Sequence, residues 1–293
     1  MQAALLPDRG VIKLSGDDAR SFLNGLITAD IEHLEPGTGR FGALLTPQGK
    51  IIVDFFVTAV PEEHGGGVLI DCPRQLAQPL ATKLGFYKLR AKVTVENLSG
   101  SLAVVAAWDG DPAVQPDLSF ADPRAAGLGW RILVPAELAA KTAVLIGATL
   151  GDPAVYTAHR ISCGVPQGGI DFAYGDAFPH EANMDRIGAV DFDKGCYVGQ
   201  EVVSRMQHRG TARTRTVGVI LDGEAPPPGT ALLAGERQVG TLGSSAGREA
   251  LAVVRVDKVA DALDAGITLA AGTATLRLSD PEAVRNLQKK TVA

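Results

Sequence analysis

The chain has 293 residues, 46% hydrophobic and 21% charged, with 28 Lys and Arg against 33 Asp and Glu. That composition belongs to a globular protein long enough for one large domain or two to three smaller ones. The formal charge of −5 argues against general nucleic-acid binding, and no apolar run approaches the ~20 residues of a membrane helix.

The run VIKL, residues 11–14, predicts a strand. Ser15 with Asp18 then resembles a capping box, and Ala19, Phe22, Leu23, Leu26 and Ile27 recur at helical spacing. FGALLTPQGKIIVDFFVTAV places Pro47 and Gly49 between two β-rich runs and predicts a hairpin. VLIDC is another strand, after which Pro73 opens a helix that Gly85 ends. KLRAKVTVEN, SLAVVAAW and RILVP read as strands, with a loop over residues 109–129 and a helix begun by Pro135. Asp152–Pro153 is a cap followed by a first-turn proline, opening a helix to about Cys163. Residues 167–194 lack periodicity, as functional loops often do, and a short helix starts near Gly199. Beyond Thr211, short alternating runs separated by Gly/Pro turns predict a small all-β barrel or sandwich. The expected fold is α+β over residues 1–210, followed by a C-terminal β-barrel over 211–293.

The three cysteines, Cys72, Cys163 and Cys196, are widely spaced and include no CxxC. A disulfide framework or a self-sufficient zinc or iron–sulfur site is not expected, and a reducing cytoplasm fits. MQAALLPDRG shows neither a secretory signal nor an Arg- and Ser-rich leader, so no targeting segment is expected. Phosphate-loop, GxGxxG, HExxH and GxSxG motifs are absent, and the five histidines (33, 64, 159, 180, 208) are scattered.

Cys196 stands apart, in DKGCYVGQE. Gly195 and Gly199 allow close approach, Lys194 is two residues away, and a helix start follows; each favours a thiolate, which is a nucleophile or soft ligand. Cys72 and Cys163 read as buried, inert thiols. Glu181, in the polar run AFPHEANMD, could accept two N–H donors side by side, as an amino-pyrimidinone edge presents them. Tyr87 and Tyr156 suit stacking or core packing. Arg205 and Arg209, four apart on one helix face, could grip carboxylates. With Arg213, Arg215 and Lys194 they form a local basic excess.

The run KGCYVGQEVVSR resembles the signature of the YgfZ family, relatives of the glycine-cleavage T-protein. FLNGLITADIEHLEPG, ALLTPQGKIIVDFFV, LGFYKLRAKVTV, RISCGVPQGGID and FPHEANMD match more loosely across nearly the whole chain. The resemblance implies a T-protein-like α+β body that binds tetrahydrofolate or a related folate in a central hole. Its pterin-recognising glutamate would be Glu181, and its tyrosines Tyr87 and Tyr156. Its functional cysteine and neighbouring lysine would be Cys196 and Lys194. It further implies support of iron–sulfur cluster assembly or repair in client enzymes, some of them tRNA-modifying. The partners expected are folate and client or assembly proteins, with no membrane or direct nucleic acid, and a monomer. A second expectation is aminomethyltransferase activity. Against it, Asn97 stands where the transferase carries an aspartate, and an amide supplies neither charge nor base. A third, an RNA-binding module, would rest on the basic run alone.

Overall fold

The computed structural model describes residues 1–210 and 212–292, the last five by backbone only. Thr211, at the expected domain boundary, and Ala293 lie outside the described residues. The elements run β1 (Gln2–Leu5), β2 (Arg9–Ser15), α1 (Ala19–Asn24), β3 (Gly39–Leu45), β4 (Ile51–Ala59), β5 (Val68–Pro73), α2 (Arg74–Tyr87) and β6 (Thr94–Asn97). There follow β7 (Leu102–Trp108), β8 (Ser119–Ala121), β9 (Trp130–Pro135), α3 (Ala139–Leu145), β10 (Thr149–Gly151), α4 (Pro153–Ser162) and α5 (Gln200–Arg209). The last are β11 (Thr214–Asp222), β12 (Ala231–Ala234), β13 (Arg237–Ala246), β14 (Glu249–Arg255), α6 (Val256–Asp264), β15 (Leu269–Ala271), β16 (Ala274–Leu278) and α7 (Pro281–Val292).

Contacts divide the chain into two compact units. The first holds residues 1–47, 52–156 and 186–198, and the second holds 48–51, 157–185 and 199–293. In the first, one five-stranded sheet has the order β3-β4-β5-β2-β6 and another β10-β1-β7-β9-β8, with β1 and β10 parallel. The hairpin predicted around Pro47 and Gly49 is the β3–β4 pair. Its sheet buries Ile12, Leu14, Phe55, Val57 and Ile70 with Leu23 of α1 and Leu80 and Leu84 of α2. Such burial is the main stabilising term, about 1.5–3 kcal/mol for each fully buried large apolar side chain. The second sheet packs Val105, Ile132 and Val134 against Ala139 and Ala143 of α3.

The second unit is built on a closed six-stranded barrel, β11-β14-β13-β12-β15-β16, every neighbouring pair antiparallel. Closure leaves no open sheet edge. β16 alternates buried and exposed residues along ATLRL, the period-2 signature of one face turned inward. The α+β body with a C-terminal β-barrel is thus present.

The all-β reading of the final segment is corrected by α6 and α7. In α6, Val256, Val259, Ala260 and Ala262 are buried, a helical spacing already visible in VDKVADALD. The early helix is also shorter than its apolar spacing suggests. Asp18 makes no side-chain cap bond; its Oδ2 accepts the Lys92 N–H at 2.8 Å instead. The capping box with Ser15 therefore does not form, and Ile27 leaves the helix to bridge Leu44. α2 runs past Gly85 to Tyr87, since propensity alone is a weak stop when the opposite face is packed. The loop at 109–129 contains β8, paired with β9.

Gly129 enters β9 at φ +87°, and a Cβ there would lie 2.0 Å from the Ala107 carbonyl oxygen. Gly129→Ala is therefore expected to cost about 3 kcal/mol or more, read as a lowered urea midpoint. An unchanged midpoint would contradict this backbone geometry.

Candidate functional site

In the first unit, Cys196 lies at the end of a strap sewn to the segment after α1. Thr28 Oγ1 donates to the Ala189 carbonyl at 2.6 Å, and Asp191 N–H donates to the Thr28 carbonyl at 2.9 Å. Asp191 Oδ1 then accepts the N–H groups of Asp193 (2.8 Å) and Lys194 (2.9 Å), an Asx turn that reverses the chain. The Lys194 ammonium completes the seam. It donates to the carbonyls of Asn24 (2.8 Å), Ile27 (3.0 Å) and Ala29 (2.6 Å) and to Asn24 Oδ1 (3.0 Å). Burial brings this ammonium down to about 8, opposed by Asp30, Asp191 and Glu32. Lys194 thus acts as a fastener between two chain segments.

Two residues on, Cys196 is exposed, and of the three free thiols it is the only exposed one. Tyr197 beside it is buried, with Lys194 Nζ 5.6 Å from the ring centroid. Its hydroxyl has no hydrogen-bond partner among the described residues, and burial pushes it up to about 12. Tyr197 carried no assignment in the sequence, where an aromatic next to a cysteine reads only as packing. Gly199 takes φ +83° as the cap of α5, which accounts for the glycine there.

Tyr87 ends α2 at 37% exposure, with Lys83 Nζ 5.4 Å from its ring centroid. Tyr156 is buried at 6% exposure. Its ring lies 5.5 Å from Trp108, and its hydroxyl accepts from Arg124 Nη2 and Arg131 Nη2 at 3.2 Å each. It belongs to a buried ionic cluster that sequence reasoning did not find. There Asp71 joins Arg9 (2.6 Å) to Arg131 (2.7 Å), and Asp122 joins Arg131 (3.2 Å) to Arg124 (2.8 Å). The Phe56 ring lies under Arg131 (4.1 Å) and Arg124 (4.7 Å).

In the second unit, Glu181 sits in the segment between α4 and α5. Its Oε2 accepts the Phe178 N–H at 2.8 Å, while its backbone carbonyl accepts the N–H and hydroxyl of Thr216. Burial raises its carboxyl, against the Phe178 N–H and Lys50. Arg215 pins the same loop, donating to the His180 carbonyl and to both oxygens of Asp185. Arg215 is therefore buried and paired rather than part of an open basic run. On α5, Arg205 pairs with Glu201 at 2.6 Å, both exposed, and Arg209 is exposed.

Glu181 fits a folate in one respect. Among the described residues its Oε2 accepts a single N–H and its Oε1 none, so both oxygens keep acceptor capacity for the paired N–H donors of a pterin. Of the other candidate ligand residues, Tyr87, Arg205 and Arg209 are exposed, whereas Tyr156 is buried with its hydroxyl held by Arg124 and Arg131. Among the described residues, no group of three or more His, Cys, Asp or Glu side chains could hold a metal ion. No helix there is long and apolar enough to cross a membrane.

Comparison with known proteins adds three findings. Residues 213–286 match the family model described as the CAF17 C-terminal beta-barrel domain. The chain is 35% identical over 240 residues to a mitochondrial iron–sulfur cluster assembly factor IBA57 homolog of Mycosarcoma maydis, covering 76% of this chain and 59% of that protein. It is 31% identical over 280 residues to human mitochondrial IBA57, covering 87% and 77%. It spans 56–60% of the length of four fungal relatives. A crystal structure of the glycine cleavage system aminomethyltransferase T from Bartonella henselae superposes with a TM-score of 0.73 at 16% identity, covering 95% of this chain and 85% of that one. At that identity the likeness is one of fold. The relatives are mitochondrial by name, which overturns the cytoplasmic location expected from the cysteines. A chain without a disulfide framework suits any reducing compartment, so the cysteine count cannot tell one from another.

Proposed function

This chain belongs to the IBA57 family, and on that premise we propose that it assists iron–sulfur cluster assembly as a tetrahydrofolate-binding factor whose working group is the Cys196 thiol. The observation that carries the reading is the exposed Cys196 at the end of a strap held by Lys194, Asp191 and Thr28. A thiolate there can ligate iron or exchange with a partner's thiol. A cluster takes several thiolates, and the strap offers one, so the partner would supply the others. The partners are thus cluster-carrying assembly or client proteins, and any effect on tRNA modification is indirect.

Residues 1–210 would form the folate-binding body and 211–293 the barrel domain. Glu181 would hold the pterin edge, with Tyr87, Tyr156, Arg205 and Arg209 contributing stacking and carboxylate contacts. In cells lacking the chain, the Cys196→Ser form is expected to leave iron–sulfur enzyme activity at the deletion level. The purified variant should still bind tetrahydrofolate, whereas Glu181→Gln should weaken that binding about tenfold or more. Full restoration by Cys196→Ser would remove the thiol from the proposal.

The likeness of fold favours a second reading, an aminomethyltransferase. Asn97 weighs against it. Its amide donates to Gln78 Oε1 at 3.0 Å, and its oxygen accepts from Ser99 N–H and hydroxyl. A side chain bound into its own turn and lacking charge supplies no base. Turnover with lipoylated carrier and folate would decide for the transferase.

A further inference from the structure

The second unit carries a thiol that the sequence reads as buried and inert, and its surroundings differ from that reading. Cys163 follows α4, its N–H donating to the His159 carbonyl at 3.0 Å, so it stands one helical turn beyond His159. Its Sγ lies 3.9 Å from His159 Nε2. The residue is partly exposed and opens on a cavity of about 200 Å³, whose walls include Ser162, Gly218, Glu249 and Ser279. That volume is below the ~300–1,000 Å³ of pockets for drug-sized ligands, so the space suits a smaller molecule. Among the described residues, Glu249 is the one lining residue with a carboxylate, and no lysine or arginine lines the cavity.

A nucleophile, a base within reach of it and a cavity of limited size make a site, and the acid on its wall selects the sign of charge. We propose that Cys163 is a thiol–disulfide exchange site that takes a small cationic aminothiol as a mixed disulfide. His159 Nε2 accepts the Cys163 proton. The thiolate attacks one sulfur of the aminothiol disulfide, forming the new S–S bond as the old one breaks. The departing half leaves as a thiolate and takes a proton from the imidazolium. The Cys163 sulfur is oxidised and the leaving sulfur reduced, so the small disulfide is the only oxidant needed. The adduct is reversible by excess thiol. The site is independent of Cys196 and of the proposed function.

The test uses the full chain with all three cysteines, treated with cystamine, quenched in acid and mapped by peptide mass spectrometry. Cys72 is fully buried, and burial pushes its thiol up to about 12, so it serves as the unreactive control. Cys163 is expected to gain the half-cystamine group about tenfold faster in the native chain than in the urea-unfolded chain at the same pH. It should also react faster with cystamine than with the dianion of dithiodipropionic acid at low ionic strength. His159→Gln should bring the native rate down to the unfolded rate. A native rate at or below the unfolded one overturns the proposal, because folding protects a thiol that is merely packed. An unchanged rate in His159→Gln also overturns it, and equal rates with the two disulfides overturn the cationic assignment. The native-to-unfolded comparison requires no substitution, so it decides the matter even if the variant does not fold.

Discussion

Asp71→Ala is expected to lower the unfolding free energy by about 3–5 kcal/mol. The side chain is 1% exposed, and each of its oxygens faces a different arginine, Arg9 at 2.6 Å and Arg131 at 2.7 Å. Removing it leaves the Arg9 guanidinium without a carboxylate partner and Arg131 with Asp122 alone, both largely out of water, which costs far more than the pairs themselves contribute. The corresponding fall in melting temperature is about 10 °C. Trp108 and Trp130, the chain's two tryptophans, lie on β7 and β9 in the same unit, so their fluorescence reports this transition. A melting point within a degree or two of the parent would mean the cluster is dispensable.

Acid should act on the same cluster through Asp122. Burial would raise its carboxyl, but Arg124 and Arg131 overcome that and hold it well below the usual carboxylate range. A depressed folded value means that the unfolded chain binds the proton first. Its stabilising contribution is therefore complete above the unfolded value near ~3.9 and is lost as pH falls through the folded one. The parent's urea midpoint should fall below about pH 4, and Asp122→Asn should flatten that part of the profile.

Lys194→Met should cost roughly 2–4 kcal/mol and should abolish function with the Cys196 thiol still in place. Methionine keeps the length of the stem but has no donor for the Asn24, Ile27 and Ala29 carbonyls or for Asn24 Oδ1. Arginine should not restore the seam, because a planar fork cannot replace a compact ammonium surrounded by four oxygens. Alkaline pH gives a second measurement. The folded ammonium titrates near 8, below the ~10.4 of an unfolded lysine. Between those values the unfolded chain binds more protons, so this group's contribution to stability rises with pH. The stability difference between parent and Lys194→Met should widen across that window. A variant that folds as well as the parent and still supports iron–sulfur enzymes would remove Lys194 from the function.

These two predictions concern side chains that the sequence ranked very differently. Lys194 was visible through its neighbour Cys196, yet its work lies with oxygens up to 170 positions away. Asp71 was an ordinary residue in VLIDC, and nothing near it marks a partner 60 or 62 positions off. Cys163 shows the same limit. Its position one turn from His159 was legible, but the late-helix setting read as burial, and only β11, β14 and the approach to α7 shape the cavity beside it.

What the residues determined alone was local and periodic. Asp152–Pro153 opens α4, with Asp152 Oδ1 accepting the Ala154 N–H at 2.8 Å. Gly199 and Gly210, both left-handed, bound α5. The alternating runs after Thr211 became barrel strands. Each of these follows from backbone geometry acting over a few residues, which a sequence displays directly. Tertiary structure decided the pairing of charges, the orphaned hydroxyl of Tyr197, the burial of Tyr156 and the fastening role of Lys194. Those depend on which strands and loops meet, and a side chain carries no local mark of a partner brought to it by the fold.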